Sequence, residues 1–151
     1  MERNVEIKAK VVELAAVRQV VEGLADSGPM EIEQEDTFFI CRRGRLKLRR
    51  FVGCSQAELI YYERPEGSGP KESRYVVHPT ADPDGLGEVL SAALGVRGVV
   101  RKRRTVYLVG QTRVYPLIAY RTRASRTDVR CLWAKSDEFT PQGAIPRPHQ
   151  R

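Results

Sequence analysis

The sequence is poor in the residues that build metal cages and disulfide frameworks. It has three cysteines, Cys41, Cys54 and Cys131, with no C-x-x-C spacing, and two histidines, His78 and His149. That leaves no zinc site of the usual kind and no even set of thiols to pair. The thiols read as idle groups of a reducing compartment. Apolar runs are also short, and none approaches the ~18 residues of a membrane span. The opening MERNVEIKAK is charged from the start and lacks the apolar segment of a secretory leader. Together these absences imply an intracellular, cytoplasmic protein that does not engage a membrane.

What the sequence does have is positive charge. Lysine and arginine number 26 against 19 acidic residues, a formal charge of +7. Up to Arg113 the balance is 19 to 16, and after it 7 to 3, so the excess grows toward the C-terminus. A basic excess by itself points to anionic partners without choosing among nucleotides, polyphosphate, nucleic acid and acidic membrane. The length, 151 residues, suits one domain with a real core.

Hydropathy alternation supplies the elements. NVEIKAKV (4–11) alternates strictly, with Val5, Ile7, Ala9 and Val11 on one face. In ELAAVRQVVEGLADSG, Leu14, Val17, Val21 and Leu24 recur at helical spacing, and Asp26-Ser27-Gly28-Pro29 stops the helix. MEIEQEDTFFIC (30–41), RLKLRRFV, AELIYYERP (57–65) and KESRYVVHP (71–79) read as strands. DPDGLGEVLSAALG (82–95) is a second helix, with Pro83 just inside its start and Gly95 at its end. VRGVVRKRRTVYLVG (96–110) is a long strand, and a partner strand begins after the Gly110-Gln111 turn. The order β-α-β-β-β-β-α-β-β with short turns predicts a single α+β domain with a mostly antiparallel sheet.

The strands share a peculiarity. In GRLKLRRF (44–51), Arg45, Lys47 and Arg49 fall on one face and Leu46 and Leu48 on the other. Lys8 and Lys10 share a face, as do Lys102 and Arg104; Arg64 ends one strand, Lys71 starts the next, and Arg113 lies on the last. An open sheet would turn such a face to water. A barrel would turn it inward, with the apolar faces outward under the helices. Cations crowded inside a barrel need a multivalent anion, and a triphosphate is small, highly charged and rich in acceptor oxygens. Glu6 among them offers an oxygen ligand to a hard cation that bridges to phosphate, or simply an ion pair. An exposed charged face serving a polyphosphate or an RNA remains the alternative. The tyrosines, Tyr61, Tyr62 and Tyr75, fall in strand interiors rather than as exposed stacking platforms, which disfavours nucleic acid.

These segments also resemble a known family. NVEIK is similar to the E-x-E-x-K signature of the CYTH superfamily, the triphosphate tunnel metalloenzymes. DTFF, GRLKLR, ELIYYERP, KESRY, VRGVVRKRRTVYL and GQTRV resemble further family segments in family order, so the resemblance spans residues 1–114. It implies an antiparallel eight-stranded tunnel and a Mg²⁺- or Mn²⁺-dependent activity. Family activities are class IV adenylyl cyclase, thiamine triphosphatase and inorganic tripolyphosphatase, so tripolyphosphate, thiamine triphosphate and ATP are the implied substrates. By resemblance Glu6 would ligate metal, and Lys8, Arg45, Lys47, Arg64, Lys102, Arg104 and Arg113 would bind phosphate oxygens. Lys10, Arg49 and Lys71 are additions from the alternation.

Two departures accompany the resemblance. Asn4 stands where the signature has its first glutamate. After Val114 the chain reads YPLIAYRTRASRTDVRCLWAKSDEFTPQGAIPRPHQR, without the family's terminal strand and its E-x-E pair. The last strand is therefore expected to be missing or altered, and 115–151 to form an atypical, poorly ordered tail with the composition of a splice or frame change. LIAY and VRCLWA retain the capacity to pack as short strands. Turnover is expected to suffer from the loss of these carboxylates, with binding retained.

Overall fold

The computed structural model describes residues 1–67, 70–122, 126–129 and 131–137, with residues 8, 10 and everything beyond 116 described by backbone alone. The elements are β1 (Glu2–Lys10), α1 (Leu14–Leu24), β2 (Ser27–Phe39), β3 (Arg45–Phe51), β4 (Ala57–Glu63), β5 (Lys71–Thr80), α2 (Pro83–Leu94), β6 (Val96–Val109), β7 (Thr112–Thr122), β8 (Arg126–Val129) and β9 (Cys131–Asp137). The expected order holds through β7. One boundary moves: β2 starts at Ser27, because the chain stays extended through Gly28-Pro29 and absorbs the irregularity as a register shift against β6 between Ser27 and Met30.

The strands form one sheet in the order β6-β2-β3-β4-β5-β1-β9-β7-β8, and β6 also pairs with β7. Eight strands therefore close on themselves, and every pairing is antiparallel. The eighth place in the ring belongs to β9. It pairs with β1 through Asn4↔Asp137, Glu6↔Lys135 and Lys8↔Trp133, and with β7 through Thr112↔Ser136, Arg113↔Lys135 and Tyr115↔Trp133. β8 lies along the outer half of the same β7 edge, through Ile118↔Val129 and Arg121↔Arg126, with the register displaced by one residue from that of β9. The terminal strand is thus altered in sequence, with its place in the ring filled by CLWAKSD. LIAY lies within β7.

Closure sorts the alternating residues. Outward, Phe39, Leu48 and Ala57 are buried beneath Leu86 and Leu90 of α2, with Leu46 beside them. α2 is fixed at its start by Asp82, whose Oδ1 accepts the Gly85 N–H at 3.0 Å, and by Pro83 in the first turn. α1 covers β6 and β7, where the Tyr107 hydroxyl donates to Glu22 Oε1 at 2.8 Å. Inward, Val106 and Tyr115 form a second buried cluster with Met30 and Ile32 packed against it. No helix among the described residues is long and apolar enough to cross a membrane.

Candidate functional site: a cation-lined tunnel

Register dictates which polar residues meet inside the ring, since residues directly paired across antiparallel strands share a face. Asp36 on β2 pairs with Arg49 on β3, and Arg49 with Glu58 on β4. Phe38, Lys47 and Ile60 form the next rung, and Arg45 pairs with Tyr62. On the other side, Gln34 pairs with Lys102 and Ile32 with Arg104 on β6.

Asp36 is the hub. It is 0% exposed. Its Oδ1 accepts from Arg49 Nε at 2.8 Å and Gln34 Nε2 at 2.9 Å. Its Oδ2 accepts from Arg49 Nη2 at 3.1 Å and from the ammoniums of Lys47 and Lys102, both at 3.2 Å. Arg104 Nη2 donates to Gln34 Oε1 at 2.6 Å, so Gln34 links a second guanidinium to the hub. Aromatic faces line the same wall: Lys47 Nζ lies 5.6 Å from the Phe38 ring centroid and 5.3 Å from that of Tyr62, and Arg104 Cζ lies 5.3 Å from that of Tyr115.

Proton affinities register the crowding. Burial alone would raise the Asp36 carboxyl, but the charges of Arg49, Lys47 and Lys102 overwhelm it and hold it far below the usual carboxylate range. Burial pushes Lys47 well below the usual lysine range, with Arg49 adding to the push and Asp36 opposing it. Lys102 is brought down to about 8, by burial first, against the pull of Asp36. Glu58 is pushed up by burial, against the charges of Arg49, Lys47 and Arg113.

The outer face of the same strands is a control. Arg101 Nε meets Glu35 Oε2 at 2.6 Å, and Arg103 Nη2 meets Glu33 Oε2 at 3.6 Å, each facing its register partner. Outside, each of these arginines has its own carboxylate. Inside, Lys47, Arg49 and Lys102 all contact the one carboxylate of Asp36.

The remaining candidates are distributed around the ring. Arg64 Nη1 lies 3.7 Å from Glu6 Oε2, and Glu6 pairs in register with Lys71. Arg113 lies on β7 near enough to Glu58 to shape its titration. Arg45 sits exposed at the mouth, where a pocket of ≈ 900 Å³ is lined by Phe38, Phe39, Arg97, Gly98 and Val100 among others. Lys8 and Lys10 lie on β1 in register with Trp133 and Cys131, and their side chains fall outside the described residues. The structure therefore brings Lys47, Arg49, Lys102 and Arg104 into one network, with Arg113 adjoining through Glu58. Arg64 and Glu6 form a separate pair on the β1 side, and Arg45 stands at the rim.

Sequence reasoning missed Asp36, Gln34 and Glu58. The available signal was parity: Gln34 and Asp36 fall on the even positions of β2, in line with Met30 and Ile32, while Glu31, Glu33 and Glu35 occupy the odd, outer ones.

A divalent cation is the cofactor that the family implies. Two oxygen donors of β1 bear on whether one fits. Among the described residues, Glu6 makes one long contact, to Arg64, and the buried Asn4 Oδ1 has no hydrogen-bond partner. The described residues contain no cluster of three or more acidic, histidine or cysteine ligands. Such a donor set suits a hard cation held mostly by phosphate oxygens and water rather than by a protein cage. β9, in the eighth place of the ring, sets Lys135 in register with Glu6, and Asp137 with Asn4.

Solved structures with the same fold include the PH1012 protein of Pyrococcus horikoshii, with 22% identity and a TM-score of 0.68 over 88% of this chain and 77% of that one. Another is the Hippeastrum protein HpAC1, an adenylyl-cyclase-like chain with a dominant triphosphatase activity, with 12% identity and a TM-score of 0.62 over 93% and 81%. A third is the Schizosaccharomyces pombe RNA triphosphatase Pct1, with 10% identity and a TM-score of 0.57 over 89% and 70%. No curated protein matches the chain. The CYTH domain model matches residues 2–115, three quarters of the sequence. The tunnel and its inward cations are those of a chain that belongs to the CYTH domain family.

Proposed function

We propose that the chain binds the triphosphate group of a small molecule inside the ring. One observation carries this reading: the inner wall concentrates Lys47, Arg49, Lys102 and Arg104 around a single fully buried carboxylate. Such a set is tolerable at rest because Asp36 compensates part of it, and it is completed by a multivalent anion. The pocket beside Phe38 and Arg45, at ≈ 900 Å³, is of a size to take an organic group attached to the phosphates, as in thiamine triphosphate or ATP. Two structural relatives act as triphosphatases, which supports the same substrate class.

The chain's own residues would serve hydrolysis and cyclisation alike. Guanidinium and ammonium groups on β3 and β6 would hold the non-bridging oxygens and neutralise charge as the phosphoryl bond breaks. That role is the same whether the attacking group is water or a ribose 3′-hydroxyl. Glu6, with the Asn4 amide oxygen beside it, would hold Mg²⁺ or Mn²⁺ carried in on the phosphates. The cation would supply further neutralisation of phosphate charge. The place of Lys135, in register with Glu6, favours binding over fast turnover.

Thermal unfolding of the purified chain with and without tripolyphosphate and Mn²⁺ tests this. A ligand that binds only the folded state raises the midpoint. The expected result is a rise larger than sulfate gives at equal ionic strength, with phosphate release slow or absent. No rise beyond that of sulfate would overturn the reading. Binding of RNA that is steeply salt-dependent, with no preference for triphosphate, would favour the polyanion module instead.

A further inference from the structure

A carboxylate at the centre of an anion-binding tunnel is a puzzle. By Coulomb's law Asp36 repels the ligand that the surrounding cations attract. It is also inaccessible, at 0% exposure, so it is poorly placed to touch a substrate. Its partners explain its presence. Lys47 comes from β3 and Lys102 from β6, the strands on either side of β2, and both ammoniums lie 3.2 Å from the same oxygen, Oδ2. Arg49 clamps both oxygens, and Gln34 fixes Oδ1. The carboxylate cannot rotate without breaking this clamp.

The groups around the two lysines are mostly of their own sign. Arg49 of β3 acts on both, and Arg104 of β6, stacked on Tyr115, acts on Lys102; Arg113 of β7 lies near Glu58. Two acids lie near: Asp36, in direct contact with both lysines, and Glu58 on β4, which is engaged with Arg49 and is itself pushed up by burial. A buried lysine beside guanidiniums sheds its proton unless an anion holds it. Asp36 is the group that opposes burial at both Lys47 and Lys102.

We infer that Asp36 is a positioning residue of the phosphate site: it gathers the Lys47 and Lys102 ammoniums from two strands around one oxygen and keeps them cationic, so that a phosphoryl group meets a fixed pair of charges. This inference rests on the triphosphate reading. It runs opposite in sign to simple charge arithmetic, by which removal of an interior anion tightens anion binding.

The test is Asp36→Asn, nearly isosteric and uncharged, with tripolyphosphate affinity measured by calorimetry across pH at constant ionic strength. The expected result is about tenfold weaker binding or more near neutral pH, recovered at acid pH where the lysines regain their protons. The alkaline limit of binding moves to lower pH than in the wild type. Unchanged or tighter binding at the wild-type alkaline limit would overturn the inference and leave the triphosphate reading intact. So would a loss of affinity equal at every pH, which a merely structural role gives. If the wild-type chain fails to bind tripolyphosphate, both fall together. Should Asp36→Asn lack a cooperative unfolding transition, Asp36→Glu carries the test. It keeps the charge and is expected to keep the wild-type alkaline limit, and an acid shift there would overturn the inference.

Discussion

Replacing Arg49 with methionine keeps most of the side chain's apolar stem and removes its charge. In the folded chain Arg49 donates through Nε to Asp36 Oδ1 at 2.8 Å and through Nη2 to Oδ2 at 3.1 Å. After Arg49→Met, Oδ1 retains the Gln34 amide at 2.9 Å and Oδ2 retains the two ammoniums, but the bidentate clamp is gone. Asp36 stays fully buried. Breaking a buried ion pair from one side costs about 3–5 kcal/mol, because the surviving charge is left partly uncompensated. In a chain of this size each kcal/mol moves the unfolding midpoint by roughly 2–4 °C. The expected loss is therefore roughly 6–20 °C, read by far-ultraviolet circular dichroism on heating. A loss below about 1 kcal/mol, the range of an exposed pair, would refute the claim that Asp36 depends on this clamp.

Two further outcomes are expected. Lys102 titrates near 8 in the folded chain, below its ordinary 10.5. Between those values the unfolded chain holds a proton that the folded one lacks, so this group's cost to folding is full below about 8 and is relieved as pH rises toward 10.5. Tripolyphosphate affinity should move the opposite way, falling above about pH 8 as the ammonium is lost. Lys102→Arg, which cannot deprotonate in this range, should flatten both trends; parallel curves for the two proteins would contradict the assignment. Under α2, Leu48 is 1% exposed between Phe39, Ala57 and the helix. Leu48→Ala should cost about 2–5 kcal/mol in denaturant unfolding while leaving tripolyphosphate affinity intact in the folded fraction. Loss of affinity in proportion to stability would mean that the outer core and the tunnel are not separable.

GRLKLRRF shows what the sequence made legible. Its period-two pattern divides Lys47 and Arg49 from Leu46 and Leu48, and the structure sends the leucines beneath α2 and the cations to Asp36. RKRR on β6 divides likewise, with Lys102 and Arg104 inward and Arg101 and Arg103 paired to Glu35 and Glu33 outside. Alternation reports such divisions because each strand has one wet or charged face and one covered one. It does not report which acid faces which base. In MEIEQEDTFF the four acidic residues run almost together, and only pairing with β3 and β6 separates Asp36 from Glu31, Glu33 and Glu35. Which segment closes the ring was equally hidden. CLWAKSD lacks an alternating pattern, and its place between β1 and β7 depends on pairing with distant strands, a property of the whole sheet rather than of the segment.

The central claim, a triphosphate site inside the ring, is tested most directly by calorimetric titration of the wild-type chain with monophosphate, diphosphate and tripolyphosphate at one fixed ionic strength. Saturable binding at one site per chain, tightening with each added phosphate, is the expected result. Weak binding without saturation, or equal affinity for all three anions, would contradict it.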